Sequence, residues 1–323
     1  MKRIMFSMLL LSILSTSLHS QVEKRIRRDD LTVRVRATLS KVRDDYLRFQ
    51  YVFENDVRSH QSMSIAVVEL NDEWEEYGGS VRNLTPPVEK DWGQYPDVGE
   101  KMRWRAQYDT TGLDILELVP RSAILPGERL SFSFETKGLP GIGSYWAEGW
   151  APWFFTQEEE DSLIAEGYNW EKSRAIDENF FKGTTIVRRS PSAVFNPTVF
   201  LDTLLSYTRQ SVVLGWLKTT RDDDCDDDEQ PNDGVPKNIE KRIEKAKKEL
   251  LQGDSVKARK ELEKLVKKVE KIYKKSEEAE KKKRESEITM SSEAYALLKY
   301  NTEYLIERLP GKKGEKEKKG GKE

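Results

Sequence analysis

The fold is decided by residues 124–153, which read ILPGERLSFSFETKGLPGIGSYWAEGWAPW. Pro126-Gly127 predicts a turn, because proline presets φ and glycine accepts a positive φ. Apolar and polar residues alternate over 130–135, which predicts a strand with one buried face. The glycine-rich stretch 138–143 predicts a second turn, and an aromatic segment follows it. Together these signals predict a late hairpin of an antiparallel sheet.

The sequence before this hairpin repeats the same period of two. Apolar residues alternate with polar ones over 31–39, 47–53 and 102–108. Residues 65–70 predict a further strand because they are rich in β-branched residues, and 113–119 predict another after the turn at Thr111-Gly112. The stretch 71–99 lacks the pattern, apart from a short strand around Val81, and predicts a long loop. Short strands with turn signals between them predict an antiparallel β-sandwich over residues 29–155.

The sequence after the hairpin is helical. Residues 156–197 are charged and broken by prolines, which predicts a connector, and Pro197 opens the first helix. Gly253 is the predicted end of the second helix, and the N-caps of the later helices are predicted at Asp254 or Ser255 and at Ser291 or Ser292. Short connections predict an antiparallel bundle of about four helices over residues 198–309. The fold class is therefore multidomain β plus α, and we expect a fragment from Asn196 to fold alone.

The N-terminus has the features of a secretory signal. Lys2 and Arg3 precede an apolar run, Ile4–Leu14, that is too short to span a bilayer. Residues 1–20 are therefore predicted to be a signal peptide, and no later stretch is apolar enough to cross a membrane. The predicted location is extracellular or at the cell surface.

Charge is nearly balanced overall but strongly segregated along the chain. The net charge is -2, with 55 Lys and Arg against 57 Asp and Glu. From Lys237 to Arg284 there are 19 basic residues against 10 acidic ones, and residues 310–323 predict a basic disordered tail. The excess indicates either a solvated helix face or a surface that attracts anionic polymers. No aromatic residues interleave with the tail lysines, so specific nucleic-acid binding is not expected.

The first half of the chain resembles immunoglobulin-like modules of secreted bacterial proteins. The residues that carry this resemblance are Tyr46–Asn55, which are similar to an early strand, and Leu125–Phe134, which are similar to a strand led by Pro-Gly. The chain has one cysteine, so the Cys…Trp…Cys core of an antibody-type domain is excluded.

The second half resembles the FIMAH-type helical domain that is appended to many secreted bacterial proteins, adhesins and hydrolases among them. The carrying residues are Phe200–Leu205, Leu250–Ala258 and Ser292–Leu298. The resemblance implies an accessory module and no activity of its own. This chain departs from the family in its richness in Lys and Glu.

The sequence offers little material for catalysis. Of the two histidines, His19 leaves with the signal peptide and His60 lies in a hydrophilic turn, so a surface role is favoured over that of a catalytic base. A zinc site needs several His or Cys ligands, and these are absent. A hydrolase that uses two carboxylates stays open as an alternative.

An acidic loop divides the first two predicted helices. It offers four aspartates as oxygen ligands for calcium: Asp222, Asp224, Asp226 and Asp228. The spacing departs from an EF-hand, because Pro231 interrupts it and no glycine stands at the sixth position. A solvated loop is the alternative to a calcium site, and no other cofactor is expected. Cys225, in the same loop, is either an unpaired thiol or half of an intermolecular disulfide.

An aromatic cluster ends the predicted sandwich. Tyr145, Trp146, Trp150 and Trp153 either form an exposed patch for a carbohydrate or protein ligand or pack inside the molecule. The predicted signal peptide, the lack of candidate catalytic residues and this aromatic cluster together predict a secreted, non-catalytic binding or adhesion accessory protein. A carboxylate-dependent hydrolase and a structural spacer or oligomerisation protein are the alternatives.

Overall fold

A computed structural model describes ten segments of the chain. They are residues 31–43, 46–70, 81–85, 92–96, 101–106, 122–150, 180–192, 194–218, 234–284 and 289–310. The predicted signal peptide, the acidic loop and nearly all of the basic tail lie outside these segments. The described part contains two antiparallel sheets and four helices, so the predicted mixture of β and α structure is confirmed.

Sheet A has four strands in the spatial order β1-β2-β7-β4. They are β1 (Val33–Lys41), β2 (Tyr46–Asn55), β4 (Arg82–Thr85) and β7 (Arg129–Lys137). In β2 and β7, aromatic residues face each other in register, with Phe49 opposite Phe134 and Tyr51 opposite Phe132. The period of two places these rings on one face of the sheet.

Sheet B has five strands in the order β5-β6-β3-β8-β9. They are β3 (Ser62–Glu69), β5 (Trp92–Pro96), β6 (Lys101–Ala106), β8 (Leu139–Trp150) and β9 (Phe181–Arg189). The central strand β3 is rich in buried β-branched residues, as expected for a strand with neighbours on both sides.

The hairpin predicted for residues 124–153 is wrong. Both of its strands exist, but β7 pairs with β2 and β4 in sheet A, whereas β8 pairs with β3 and β9 in sheet B. A single residue, Gly138 with φ 131°, carries the chain from one sheet to the other. A side chain at this position would meet the backbone oxygen of Arg189 at 2.9 Å, so the crossing requires glycine.

The predicted connector is shorter than the sequence suggested. Strand β9 lies within residues 156–197, where no strand was expected, and pairs with β8 along its whole length. Its apolar centre, with Ile186 and Val187 fully buried, stabilises it at the edge of sheet B. Residues of the connector before 180 lie outside the described segments.

The two sheets enclose one aromatic core. The rings of Phe49 and Phe134 stack at 5.5 Å within sheet A, and Trp104 of sheet B lies 5.1 Å from Phe132. Two tyrosine hydroxyls also cross between the sheets: Tyr51 donates to the Ile186 carbonyl and Tyr145 to that of Val33. Burial raises the pKa of both hydroxyls above the ordinary value, so each stays protonated and able to donate well above neutral pH.

Four helices follow the sheets. They are α1 (Pro197–Val213), α2 (Val235–Leu251), α3 (Ser255–Lys281) and α4 (Ser292–Arg308). The predicted N-caps Asp254 and Ser291 are confirmed, because each side chain accepts a hydrogen bond from a backbone amide of the first helical turn. Gly253, with φ 80°, follows the end of α2 as predicted.

Helix α4 belongs to both halves of the molecule. Its Ala296 and Leu297 lie in the core of the sheets, while Ala294, Leu298 and Leu305 lie in the core of the helices. The predicted domains therefore share this helix, although each has a core of its own.

Polar contacts attach α4 to the edge of sheet A and to sheet B. The carboxylate of Glu293 accepts a hydrogen bond from the backbone amide of Ala37 on the edge strand β1 at 2.7 Å. Tyr300 donates to the Leu39 carbonyl, and Asn301 donates to the Pro140 carbonyl. The helix thus satisfies polar backbone groups of β1 and closes an edge that could otherwise pair with another chain.

Candidate functional site

The predicted aromatic patch is partly buried. Tyr145 is 6% exposed and belongs to the core between the sheets, and Trp146 is 4% exposed on the other side of β8. The ammonium groups of Lys101 and Lys182 lie 4.7 and 5.4 Å from the Trp146 ring. The burial of these two rings favours packing over ligand stacking. The Trp150 ring and the whole of Trp153 lie outside the described part of the chain.

The predicted calcium ligands Asp222, Asp224, Asp226 and Asp228 also lie outside the described segments, as does Cys225. Within the segments that are described, no group of three or more His, Cys, Asp or Glu side chains is placed to hold a metal ion. His60 is exposed in the turn between β2 and β3, as the sequence predicted.

The basic stretch from Lys237 to Arg284, in contrast, lies within the described segments, where its lysines form two rows on the helices. In α2, four exposed lysines recur every three or four residues and point away from the buried stripe that contains Ile239, Ile243 and Ala246. In α3, six exposed lysines recur in the same way, opposite the stripe that contains Leu262, Leu265 and Val269. We call these ten residues the lysine face: Lys237, Lys241, Lys245, Lys248, Lys257, Lys260, Lys264, Lys267, Lys271 and Lys274.

A buried carboxylate joins the two rows of lysines. Glu261 of α3 is 7% exposed, and one of its oxygens lies 3.3 Å from the ammonium of Lys245 on α2 and 3.0 Å from that of Lys264 on α3. Arg242 lies 3.6 Å from the other oxygen. Three cations therefore surround one carboxylate, and the two rows meet at this point.

The charge of Glu261 is stabilised by this arrangement. Burial alone would raise the pKa of the carboxyl group, but hydrogen bonds from Lys264 and Lys245 outweigh burial and hold the pKa below its ordinary value. Glu261 is therefore ionised at neutral pH. The three cations carry three positive charges and the carboxylate carries one negative charge, so the cluster around Glu261 has a net charge of +2.

Several acidic residues of α2 and α3 are engaged at the sides of the helix pair. Glu240 pairs with Arg209 of α1 at 3.5 Å, and Glu270 pairs with Lys299 of α4 at 2.7 Å. Glu263 pairs with Arg259 on its own helix. These three carboxylates are thus paired with cations outside the lysine face.

Aromatic rings are absent from the lysine face. The one aromatic residue of α2 and α3 is Tyr273, and its ring stacks on Tyr295 of α4 at 4.1 Å, away from the lysines. The face can therefore attract charge but offers no ring for base stacking.

The sequence predicted the basic excess of these helices but missed the role of Glu261. The sequence does contain a sign of this role. Glu261 borders the apolar stripe of α3, and it precedes Lys264 by three residues. A carboxylate in that position must face a neighbouring helix, but the sequence does not say which one.

No helix in the described segments combines the length and apolar character that crossing a membrane requires. Comparison with known proteins finds no family model, no curated protein and no solved structure that matches the chain. The lysine face is the described feature that most clearly offers a surface to a partner.

Proposed function

We propose that the chain is a secreted, non-catalytic binding protein that holds a linear anionic polymer on the lysine face. In this proposal the sheets form an immunoglobulin-like sandwich, and the helices form a FIMAH-like bundle that carries the binding surface. The observation that supports it best is the meeting of two lysine rows at Glu261. The charged and apolar leader at residues 1–20 supports secretion.

The geometry of the face suits a repeating polyanion. Residues three or four apart on a helix are about 5 Å apart along its axis, so the six lysines of α3 form a row of positive charges with a short period. A polymer with phosphate or sulfate groups at a similar spacing contacts several lysines at once. Since aromatic rings are absent from the face, the binding depends on charge density and not on base sequence.

Such binding is strongly dependent on salt. Each neutralised charge releases a counterion from the polymer, so the logarithm of the affinity falls with the logarithm of the salt concentration, with a slope of about 0.7–0.9 per contact. Attraction between separated surface charges also decays over a Debye length of about 8 Å at physiological ionic strength.

The test compares two charge-matched variants. In the first, Lys260, Lys264, Lys267 and Lys271 are changed to Gln. In the control, four exposed lysines away from the face are changed to Gln: Lys41, Lys137, Lys182 and Lys218. Affinity for a sulfated polysaccharide and for polyphosphate is measured at two salt concentrations.

We expect the first variant to lose at least tenfold in affinity at low salt and to show a shallower salt slope. The control should stay within about twofold of the native protein, because its four substitutions lower the net charge by the same amount but leave the lysine face intact. Equal losses in the two variants would show that net charge, and not the lysine face, governs binding. Polymer turnover by the purified protein would instead favour the hydrolase.

A further inference from the structure

A cavity of about 200 Å³ lies where sheet B meets the helices. Its walls come from the first residues of β8, the last residue of β9, residues 190–192 and 194–196, and residues of α1 and α4. Pockets at the junction of two structural units are common ligand sites. The cavity lies apart from the lysine face, which belongs to α2 and α3.

One part of the cavity is apolar. It is lined by Val194, Phe195, Val199 and Phe200, and the two valines are 79% and 58% exposed. Phe200 stacks on Tyr304 of α4 at 5.4 Å, and Phe195 meets the same ring at 6.1 Å. The aromatic wall is therefore held by contacts between α1, α4 and the segment that precedes α1.

Another part of the wall is polar and carries Arg189, Tyr207 and Asn301. Burial raises the pKa of the Tyr207 hydroxyl, and the positive charge of Arg189 acts in the opposite direction. Asn301 uses its amide nitrogen on the carbonyls of Pro140 and Leu297. The Arg189 guanidinium and the Tyr207 hydroxyl, which both can donate hydrogen bonds, thus belong to residues that line the same cavity as the apolar wall.

Arg189 is only partly neutralised by its neighbours. Its terminal nitrogen donates to the Ile142 carbonyl and forms a long ion pair with the Glu69 carboxylate, at 3.8 Å, without a hydrogen bond between them. Glu69 is itself engaged, because its second oxygen accepts from the Ser144 amide at 2.8 Å. Among the described residues that line the cavity there is no Asp, Glu or Lys, so Arg189 carries the formal charge of this wall.

We propose that this cavity binds a small organic carboxylate, with its apolar part against Phe195 and Phe200 and its carboxylate on Arg189 and Tyr207. A guanidinium matches the planar carboxylate and binds it through charge-assisted hydrogen bonds. The apolar remainder gains from leaving water. The carboxylate comes either from a free small acid or from the C-terminus of a peptide with an apolar last residue.

Binding at this place also joins the two halves of the protein. The walls belong to β8 and β9 on one side and to α1 and α4 on the other. A ligand that binds the native state alone raises the unfolding temperature, because it stabilises that state by RT ln(1 + L/Kd), where L is the free ligand concentration. Thermal unfolding of the full chain therefore reports binding without knowledge of the natural ligand.

The experiment uses hexanoate and phenylacetate as probes, with hexanamide and phenylacetamide as neutral controls of the same shape. Binding is measured by calorimetry and by thermal unfolding of the native chain and of three variants. Val199→Glu places a negative charge on the cavity wall, whereas Val213→Glu places the same charge on the same helix at a residue that is 86% exposed and outside the cavity. Arg189→Gln removes the cation.

We expect each acid to bind the native chain and Val213→Glu at least tenfold more tightly than its amide, and Val199→Glu to lose at least tenfold in affinity for the acids. Arg189→Gln should bind acid and amide alike. Equal binding of acid and amide to the native chain, full affinity in Val199→Glu, or no binding at about 10 mM probe would each overturn the proposal.

Two further probes distinguish the sources of the carboxylate. Peptides that end in leucine are compared with a free and with an amidated C-terminus. Tighter binding of the free peptide than of hexanoate identifies a chain terminus as the ligand. Tighter binding of hexanoate identifies a free acid. Neither result depends on the lysine face, so this proposal and the polymer-binding function fail or succeed separately.

Discussion

Helices α3 and α4 pack against each other, yet they serve the molecule in different ways. Helix α3 buries one stripe and turns a row of lysines to solvent. Helix α4 is buried on two sides, with Leu297 in the core of the sheets and Leu298 in the core of the helices. A helix with one buried stripe can present its opposite face to a partner, whereas a helix buried on two sides joins the structures around it.

The largest effect is expected from Leu297→Ala on α4. Leu297 is 0% exposed, so its truncation leaves a cavity at the contact with the sheets and should cost about 2–5 kcal/mol of unfolding free energy. The matched change on α3 is Lys267→Ala, at an exposed position, which should alter stability by less than about 0.5 kcal/mol. Denaturant unfolding followed by tryptophan fluorescence and circular dichroism measures both. Similar costs at the two positions would remove the distinction between the helices.

A smaller effect is expected from Glu293→Ala. This change leaves the buried amide of Ala37 without its acceptor, which should cost about 1–3 kcal/mol. Glu293→Gln retains a carbonyl oxygen in the same place and should recover most of the loss. Hydrogen exchange at Ala37 provides a local measurement, and exchange should accelerate in the alanine variant alone. Unchanged exchange would mean that the carboxylate does not protect the edge of β1.

The next effect concerns α3 and depends on pH. The neighbouring lysines lower the pKa of Glu261, so its ionised form contributes stability above the unfolded-state value of about 4.3, and this contribution is lost as the pH falls through the folded-state pKa. We expect Glu261→Gln to cost about 1 kcal/mol at pH 7, and less as the pH approaches 3. Glu263→Gln, an exposed position on the same helix, is the control. A cost that is constant over this pH range would contradict the role of the charge.

The smallest effect is expected at the acidic loop that precedes α2 in the sequence. Its negative charges should compete with an external polyanion for the lysine face, so removing them should raise polymer affinity several-fold at low salt and have little effect at high salt. The variant changes six aspartates to Asn: Asp222, Asp223, Asp224, Asp226, Asp227 and Asp228. Calcium, if the loop binds it, should act in the same direction on the native protein. Equal polymer affinity of native and variant protein at low salt would show that the loop does not control the face.

Local signals in the sequence predicted local features of the fold. Alternation gave the strands at residues 31–39 and 47–53, and helical spacing with Asp254, Ser291 and Gly253 gave the bounds of the helices. These signals depend on neighbouring residues, so they survive without knowledge of the tertiary structure. The immunoglobulin-like and FIMAH-like assignments stay predictions. The independent folding of a fragment from Asn196 also stays a prediction, and such a fragment would expose Ala296 and Leu297 of α4.

Pairing between strands that are distant in the sequence could not be predicted in the same way. The sequence predicted two strands around Gly138, and their closeness in the chain predicted a hairpin. Local patterns do not show that β7 pairs with β2 and β4, or that β8 pairs with β3 and β9. It also placed β9 in a connector, because the strand lies apart from the other strands in the sequence and completes sheet B only by pairing with β8.

The sequence by itself determined the elements and their chemistry: alternating strands, capped helices and an excess of lysine between Lys237 and Arg284. The tertiary structure alone decided that the two lysine rows meet at Glu261, that α4 packs into two cores, and that Arg189 and Phe200 line one cavity. The physical reason is that periodicity and capping act within a few residues of one segment. The function proposed here, in contrast, depends on side chains that are distant in the sequence and are brought together by burial of apolar surface.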